Sequence, residues 1–188
     1  MAKVRFIFPN KPVEIINPKL LKKLNLDDWI VQPKWNGHRA HPFLGEDGRC
    51  TVLSRHGTPL TRAKAGDWGW LSQLPIAPQW QLDSEMTTSG SLIVWDYATM
   101  GGEDFARLPY EVRLKSLKAL LDVPMGCGGH FIHLIETLPA SRFEEILARR
   151  GTLPDLEGIV FKKKGATDLW GGHSTREVPS MIKYKFRR

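Results

Sequence analysis

An Asn-Gly pair set between two strand-like runs is the strongest local signal in this chain. The pair is Asn36-Gly37, which lies between Lys34 and Arg39 in the segment 31–40. Asn-Gly in such a setting is typical of a tight turn. We therefore predict a hairpin, with Lys34 at the end of one strand and Arg39 at the start of the next.

A lysine held at the end of a strand can act as a covalent nucleophile. Its ammonium must first lose a proton, and burial or nearby cations lower the pKa of a lysine and favour the neutral amine. Many lysines and arginines later in the chain can supply those cations. The alternative is that Lys34 is an ordinary solvated lysine, since a short motif by itself is only a hypothesis.

The composition is that of a soluble globular protein with excess positive charge. Of its 188 residues, 41% are hydrophobic and 25% are charged, the formal net charge is +7, and the two cysteines lack metal-ligand spacing. This length suits one domain, residues 1–188. The charge favours a polyanionic partner, and a merely soluble basic protein is the alternative. Because neither a membrane-spanning run nor a signal peptide is recognisable, we expect a cytoplasmic protein without a membrane partner.

Residue periodicity and turn signals divide the chain into short strands and three helices. Strands besides the hairpin are predicted at 4–8, 40–44, 50–54, 80–86, 91–97, 130–136, 156–162 and 180–186. Helices are predicted at 18–24, 108–121 and 141–150. Leu20, Leu21 and Leu24 are expected to face the core, and Ser141 is expected to form a capping box with Glu144. The segments predicted to be a flexible connection and a loop are 124–129 and 165–179.

Several residues at or near the ends of these strands have side chains that can bind a ligand. Arg55 carries a permanent charge and a planar fork of donors that fits phosphate oxygens. Glu85 and Glu157 are carboxylates, Trp95 offers a large flat ring for stacking, and Lys162 ends an apolar strand. Arg55 and Trp95 have ordinary structural alternatives, a surface arginine at a strand end and a core tryptophan.

The last predicted strand has two lysines on one face. Strict alternation places Lys183 and Lys185 together, and it places Ile182, Tyr184 and Phe186 on the opposite face. The lysine face is either part of an anion-binding site or an exposed edge of the sheet.

These segments together resemble the covalent nucleotidyltransferases, which include ATP-dependent DNA ligases, RNA ligases and mRNA capping enzymes. Their lysine motif is Lys-x-Asp-Gly-x-Arg, and this chain has Asn36 in place of the aspartate. Six segments follow the order of the family's motifs, from about Gln32 to Lys185. The chain ends just after its lysine strand, so it is a minimal one-domain enzyme, a part of a longer protein or a degenerate relative.

The resemblance implies a fold and a set of roles. The fold is an α+β, antiparallel-sheet nucleotidyltransferase domain with an ATP-grasp-like ligase core, without an OB-fold domain. Lys34 is the catalytic residue that takes the nucleotide as a phosphoramidate, and the metal ligands are Glu157 and Glu85. The residues that the resemblance places around the nucleotide are Gln32, Lys34, Arg39, Arg55, Glu85, Trp95, Lys162, Lys183 and Lys185.

The resemblance also implies an activity. We expect an ATP-dependent polynucleotide ligase that uses ATP and Mg²⁺, acts as a monomer and seals nicked double-stranded nucleic acid, with DNA favoured. The alternatives are an ATP-dependent RNA ligase, a capping guanylyltransferase that uses GTP, and a non-catalytic relative that binds nicks.

Overall fold

A computed structural model describes residues 6–15, 17–60, 68–122, 124–127, 129–172 and 176–186. Residues 4 and 5 of the predicted first strand lie outside these ranges, and residues 6–8 are not in a strand. Within the described part of the chain, no helix is both long and apolar enough to cross a membrane.

The described residues form two sheets and few helices. The strands are β1 (Lys11–Ile15), β2 (Trp29–Trp35), β3 (Gly37–Leu44), β4 (Cys50–Ser54), β5 (Gln81–Thr87), β6 (Leu92–Met100), β7 (Glu103–Asp104), β8 (Met125–Cys127), β9 (His130–Leu134), β10 (Leu138–Pro139), β11 (Leu156–Lys163) and β12 (Glu177–Lys185). The helices are α1 (Tyr110–Leu120) and α2 (Phe143–Leu147). Short 3-10 helices cover Pro18–Lys23, Leu26–Asp28, Trp68–Gln73 and Ala140–Arg142.

The first sheet has five strands in the order β1-β12-β11-β2-β10. The pairing of β1 with β12 is parallel, and the other pairings are antiparallel. Its apolar side chains, among them Val31, Ile159 and Phe161, form a core with Phe143 and Ile146 of α2. Ile182, Tyr184 and Phe186 lie in or against this core, as the alternation predicted.

The second sheet has seven strands, with β4-β3-β5-β6-β9-β8 in order and β7 beside β6. Only the pairing of β6 with β9 is parallel. Trp80, Leu82 and Val94 lie in its core together with Leu117 of α1. Most pairings in both sheets are antiparallel, as the sequence predicted, although the fold is mixed rather than wholly antiparallel.

The predicted hairpin at Asn36-Gly37 is wrong. β2 pairs with β11 and β10 in the first sheet, whereas β3 pairs with β4 and β5 in the second. Neither Asn36 nor Gly37 has a positive φ, which the expected turn requires. Asn36 instead donates its backbone N–H to Asp155 O over 2.7 Å, and the chain passes from one sheet to the other. A Cβ on Gly37 would lie 2.3 Å from Met86 O, so only glycine fits this crossing.

The third predicted helix begins differently from the expectation. A 3-10 turn over Ala140–Arg142 follows Pro139, and α2 begins only at Phe143. The α2 N-cap is Arg142, so the predicted Ser141 cap is wrong. The reason is local, because Pro139 already directs the backbone into a turn before Ser141.

Several other boundaries also differ from the predictions. The predicted helix at 18–24 is a 3-10 helix that buries Leu21 and leaves Leu20 43% exposed, so Leu20 does not face the core. The segment predicted to be a flexible connection contains β8, and β12 begins at Glu177 inside the predicted loop. These strands are short or polar, so their sequences carry little periodic signal.

A buried ion pair fixes α1 against the second sheet. Arg113 donates from Nε and Nη2 to the two carboxylate oxygens of Asp96, over 2.7 and 2.9 Å. Trp170 Nε1 also donates to Asp96 over 2.9 Å. Arg113 is 0% exposed and Asp96 is 2% exposed. Arginine pairs with carboxylates in this two-point geometry, which also fixes the direction of the helix.

We expect Arg113→Ala to lower the free energy of unfolding by about 3–5 kcal/mol, because the Asp96 charge would stay buried without its partner. Equilibrium denaturation in urea measures this loss. Arg142→Ala removes an arginine from an exposed pair with Glu145 and should have a much smaller effect. An equal decrease in the free energy of unfolding in the two variants would show that the Arg113–Asp96 pair does not stabilise the fold.

Candidate active site

A cavity of about 260 Å³ is lined by strands of both sheets. β2, β11 and β12 supply Gln32, Lys34, Lys162, Lys183 and Lys185 from the first sheet. The second sheet supplies Arg39, Glu85 and Trp95, and Arg55 follows β4. The structure therefore places every residue that the sequence assigned to nucleotide binding around one cavity.

Lys34 lines this cavity and forms an ion pair with Glu157. The Lys34 ammonium donates to Glu157 Oε1, and Lys185 Nζ lies 3.8 Å from the same oxygen. Lys34 is opposite Gly158 in the pairing of β2 with β11. A Cβ on Gly158 would lie 2.1 Å from Tyr184 O, so glycine permits the close approach of β12. Glu157 thus holds two lysines from neighbouring strands.

Arg39 is held in place by two polar groups that the sequence analysis did not assign. Its Nε and Nη2 atoms donate to Asp83 over 2.9 and 2.6 Å, and its Nη1 donates to Asn10 O over 2.8 Å. Burial opposes the charge on Asp83, but Arg39, His41 and Lys162 together outweigh it and lower the pKa of Asp83. Arg39 lies 6.0 Å from the centre of the Trp95 ring. Its guanidinium is therefore fixed at the cavity wall near the Trp95 ring.

The Tyr110 hydroxyl connects three groups, two of which come from residues that line the cavity through their side chains. Gln32 Nε2 donates to it over 2.9 Å and to Thr137 Oγ1 over 2.9 Å, and Lys162 Nζ donates to it over 3.2 Å. Tyr110 donates in turn to Trp95 O over 2.8 Å. The helical pattern identified α1 but not this contact, so Tyr110 was missed.

Lys162 is almost completely buried beneath two aromatic rings. It is 3% exposed, and its Nζ lies 4.5 Å from the centre of the Tyr110 ring and 5.5 Å from that of Trp95. Burial lowers the pKa of Lys162 to about 7, against the opposing effects of Asp96 and Asp83. Its charge is therefore sensitive to any anion that enters the cavity.

Apolar residues line the same cavity as Trp95. Ile135, Val160 and Met181 line the cavity along with the half-buried tryptophan. A flat ring and aliphatic side chains provide the surface that a purine base needs for stacking. Ile135 and Met181 are ordinary apolar residues in sequence, so no pattern marked them.

The N-terminal strand β1 adds charges that the sequence analysis did not assign. Lys11 lines the cavity and pairs with Glu177 over 3.2 Å, and Lys183 pairs with Glu14 over 2.9 Å. The hydrogen bond from Lys183 lowers the pKa of Glu14. These residues were missed because the first strand was predicted at 4–8 instead.

Glu85 is a buried carboxyl group at the cavity wall. It is 9% exposed, and burial raises its pKa to about 7. Lys34 and Arg39 oppose this shift, whereas Asp83 and Glu157 add to it. Among the described residues no cluster of three or more metal-binding side chains occurs. Glu85 lines the cavity and Glu157 pairs with Lys34, which also lines it. These two carboxylates suit Mg²⁺, which takes one or two carboxylates together with phosphate oxygens and water.

Comparison with known proteins gives matches in structure and none in sequence. No family model and no curated protein matches the chain. A mycobacterial DNA ligase D complexed with ATP and MES matches 97% of this chain and 61% of its own, with a TM-score of 0.69 and 17% identity. A Lig E DNA ligase matches 94% of this chain and 69% of its own, with a TM-score of 0.56 and 16% identity.

An archaeal ATP-dependent RNA ligase also matches, over 93% of this chain and 47% of its own, with a TM-score of 0.55 and 16% identity. The chain therefore has the fold of the nucleotidyltransferase domain of ATP-dependent ligases, as the sequence motifs predicted. It spans 61% and 59% of the two ligase D chains that it matches. At these identities the likeness concerns the fold, and the chemistry has to be argued from the cavity.

We expect Glu85→Gln to change how stability depends on pH. A carboxyl group whose pKa is about 7 in the folded state and 4.5 in the unfolded state binds more protons when folded. Its contribution to stability is therefore complete below about pH 4.5 and is lost as the pH rises through about 7. Glutamine cannot titrate, so the variant should gain stability relative to the wild type over this interval.

Urea denaturation at intervals between pH 4.5 and 7.5 measures this gain. Glu103→Gln, which changes an exposed carboxylate of β7, is the matched control. If the difference between wild type and Glu85→Gln stays constant with pH, Glu85 does not titrate in this range.

Proposed function

We propose that this protein is an ATP-dependent polynucleotide ligase that works through a covalent lysyl-AMP intermediate. The observation that carries the proposal is the position of Lys34. It lines a cavity that also contains the Trp95 ring, aliphatic side chains and several other cations. A nucleophile, a purine surface and phosphate-binding groups in one cavity are what nucleotidyl transfer requires.

The nucleotide is proposed to bind with its base beside Trp95 and its phosphates near Lys34. Gln32 is held by Tyr110 and Thr137 at the base end, where its amide can contact the ring edge. Arg55, Lys183 and Lys185 supply charge for the phosphates, and their flexible or forked donors suit phosphate oxygens. The lining cations of the cavity outnumber its carboxylates, which favours a polyphosphate ligand.

Mg²⁺ is proposed to be held by Glu85 and Glu157 together with the phosphates. When bound, the ion neutralises phosphate charge and polarises the α-phosphate. The raised pKa of Glu85 supports this assignment, because a cation beside that carboxyl group would offset its burial.

The first step forms a bond between Lys34 Nζ and the α-phosphorus of ATP. Glu157 accepts a hydrogen bond from Lys34 and is placed to take the proton that the amine must lose. The bond from the α-phosphorus to the bridging oxygen breaks, and pyrophosphate leaves. Lys34 is then a phosphoramidate of AMP, and the nearby cations compensate the negative charge that develops.

Two further transfers complete the reaction. A 5′-phosphate oxygen attacks the AMP phosphorus, the P–N bond breaks, and Lys34 regains a proton. The 3′-hydroxyl oxygen then attacks the 5′-phosphorus of the adenylated end. AMP leaves with the electrons of the broken P–O bond, the hydroxyl proton passes to solvent, and a phosphodiester remains.

Nicked DNA is the favoured polynucleotide. The net charge of +7 supports a polyanionic partner. The Ser54-Arg55-x-Gly57 segment and the Leu-Pro-x-x-x-Arg start of α1 resemble the DNA ligases, and Arg55 lines the cavity. An RNA ligase is the second candidate, since an archaeal RNA ligase shares the fold.

Incubation with ATP and Mg²⁺ should add one AMP to the protein, and Lys34→Ala should lose this adduct completely because no other residue replaces the attacking nitrogen. Intact-protein mass spectrometry measures the adduct, with GTP in parallel. Lys164→Ala, which removes an exposed lysine outside the cavity, is the control and should retain it.

An adduct that persists in Lys34→Ala would contradict the assignment of the nucleophile. Preferential labelling by GTP would indicate a capping guanylyltransferase. Binding to nicked duplex without labelling by either nucleotide would indicate a non-catalytic relative.

Sealing of a nick in DNA is expected to be faster than sealing of the same nick in RNA. The comparison uses duplexes of identical sequence, each with a 3′-hydroxyl and a 5′-phosphate, and measures the rate constant for a limiting amount of nick. The reverse preference would assign the protein to RNA ligation while leaving the lysyl-AMP chemistry intact.

A further inference from the structure

The side-chain amide of Gln32, which lines the nucleotide cavity, is held by two hydroxyl groups. Its Nε2 atom donates to the Tyr110 hydroxyl over 2.9 Å and to Thr137 Oγ1 over 2.9 Å. Thr137 lies beside it because β10 pairs with β2 in a register that places Leu138 opposite Val31. An amide nitrogen carries two protons, so both are used within the protein.

Each hydroxyl group can only accept a hydrogen bond from this amide. Tyr110 donates its own proton to Trp95 O over 2.8 Å, and Thr137 donates its proton to Ile135 O over 3.3 Å. A backbone carbonyl has no proton to give, so the direction of both bonds is fixed. The Trp95 carbonyl is open to Tyr110 because the pairing of β6 with β5 skips this residue at a register shift. The atom of Gln32 that meets the two hydroxyl groups must therefore be its nitrogen.

The amide oxygen of Gln32 is left as an acceptor for a ligand. Among the described residues no donor bonds to this oxygen, and it is not one of their buried side-chain atoms that lack a partner, so it is open to the cavity. Turning the amide over would set its oxygen against two hydroxyl oxygens whose protons are already used. Lys162 Nζ also donates to the Tyr110 hydroxyl over 3.2 Å, which occupies that group further. The orientation of the amide is thus set before any ligand binds.

We propose that Tyr110 and Thr137 are positioning residues that make the cavity select adenine over guanine, because they hold the Gln32 oxygen toward the base. The inference rests on the proposed function and adds how its nucleotide is chosen. At position 6 of the purine, adenine has an amino group that donates, whereas guanine has a carbonyl oxygen that accepts. An acceptor fixed at the cavity wall binds the first and repels the second.

The place of Gln32 on β2 brings it to that part of the base. Gln32 and Lys34 are two residues apart on one strand, so their side chains lie on the same face with Cα atoms about 7 Å apart. With the α-phosphorus at Lys34, the base lies toward Gln32 and the Trp95 ring. Position 6 belongs to the six-membered ring of the purine, on the side away from the sugar, and it is therefore the part that reaches the amide.

The affinities of three triphosphates measure this selection in the wild type. The ligands are ATP, GTP and the triphosphate of purine riboside, which has only hydrogen at position 6, and isothermal titration calorimetry without Mg²⁺ measures each. Purine riboside triphosphate should bind about tenfold more weakly than ATP, since one hydrogen bond is lost. GTP should bind more weakly still, because its oxygen faces the amide oxygen.

Thr137→Val keeps the shape of the side chain and removes one acceptor. The amide can then turn and present its nitrogen to the base, so the ratio of the ATP affinity to the GTP affinity should fall about tenfold. Tyr110→Phe removes the other acceptor and should lower the ratio in the same direction. A merely structural role would weaken the binding of both nucleotides alike and leave the ratio unchanged. Thermal unfolding checks that each variant remains folded.

Gln32→Glu tests whether Thr137 acts through the amide. A carboxylate presents an acceptor whichever way it turns, so Gln32→Glu combined with Thr137→Val should restore the preference for ATP. Lys162, which is bonded to the Tyr110 hydroxyl, supplies a positive charge nearby. Thr152→Val removes an exposed hydroxyl outside the residues that line the cavity, and as the matched control it should keep the wild-type ratio.

An unchanged ratio in both Thr137→Val and Tyr110→Phe would overturn the inference, and so would a ratio that Gln32→Glu does not restore. Because no transfer occurs without Mg²⁺, the result is separate from the labelling of Lys34. Selection that depends on Thr137 without an AMP adduct would reject the proposed catalysis and retain the inference. An AMP adduct with a ratio that neither variant changes would reject the inference and retain the catalysis.

Discussion

The passage of the chain between two sheets at Asn36 and Gly37 is the constraint on which the rest of the site depends. Lys34 and Arg39 are five positions apart, yet they belong to different sheets. The crossing is tight, because Gly37 lies against the Met86 carbonyl. It therefore sets one side of the gap between the sheets, and the nucleotide cavity lies in that gap. A loose loop here would leave both side chains without a fixed separation.

Pairing of cations with carboxylates keeps this gap ordered before any ligand binds. Asp83 holds Arg39, Glu157 holds Lys34 and Glu14 holds Lys183. The cavity thus brings several positive charges together, but each of these three has a protein partner. Under the proposed function, an entering polyphosphate replaces some of these contacts and regains their energy through its own oxygens. The pairs with carboxylates keep the site folded when it is empty. Their replacement by ligand oxygens makes the site selective for anions.

The sequence allowed the order of the functional segments and the residues around the cavity to be predicted, but not the way in which the strands pair. Alternation identified β12 and its lysine face because side-chain direction is a local property. β2 pairs with β11, and the register of this pairing places Lys34 opposite Gly158. No local sequence pattern shows which strand pairs with β2. Asn36-Gly37 was misinterpreted for this reason, since its turn signal is the same for a hairpin and for a crossing. Tyr110 and Glu14 were missed because their roles depend on distant neighbours.

The pairing of β1 with β12 has a consequence for how the chain acquires its structure. Lys11 is paired with Glu177, whereas the strands of the second sheet all lie within residues 37–134. Contacts that are distant in sequence form slowly, because a long loop must close before they contribute. During synthesis the second sheet can assemble while β11 and β12 are still being made. The sheet that carries the proposed nucleophile is thus completed last, and β2 has exposed edges until then.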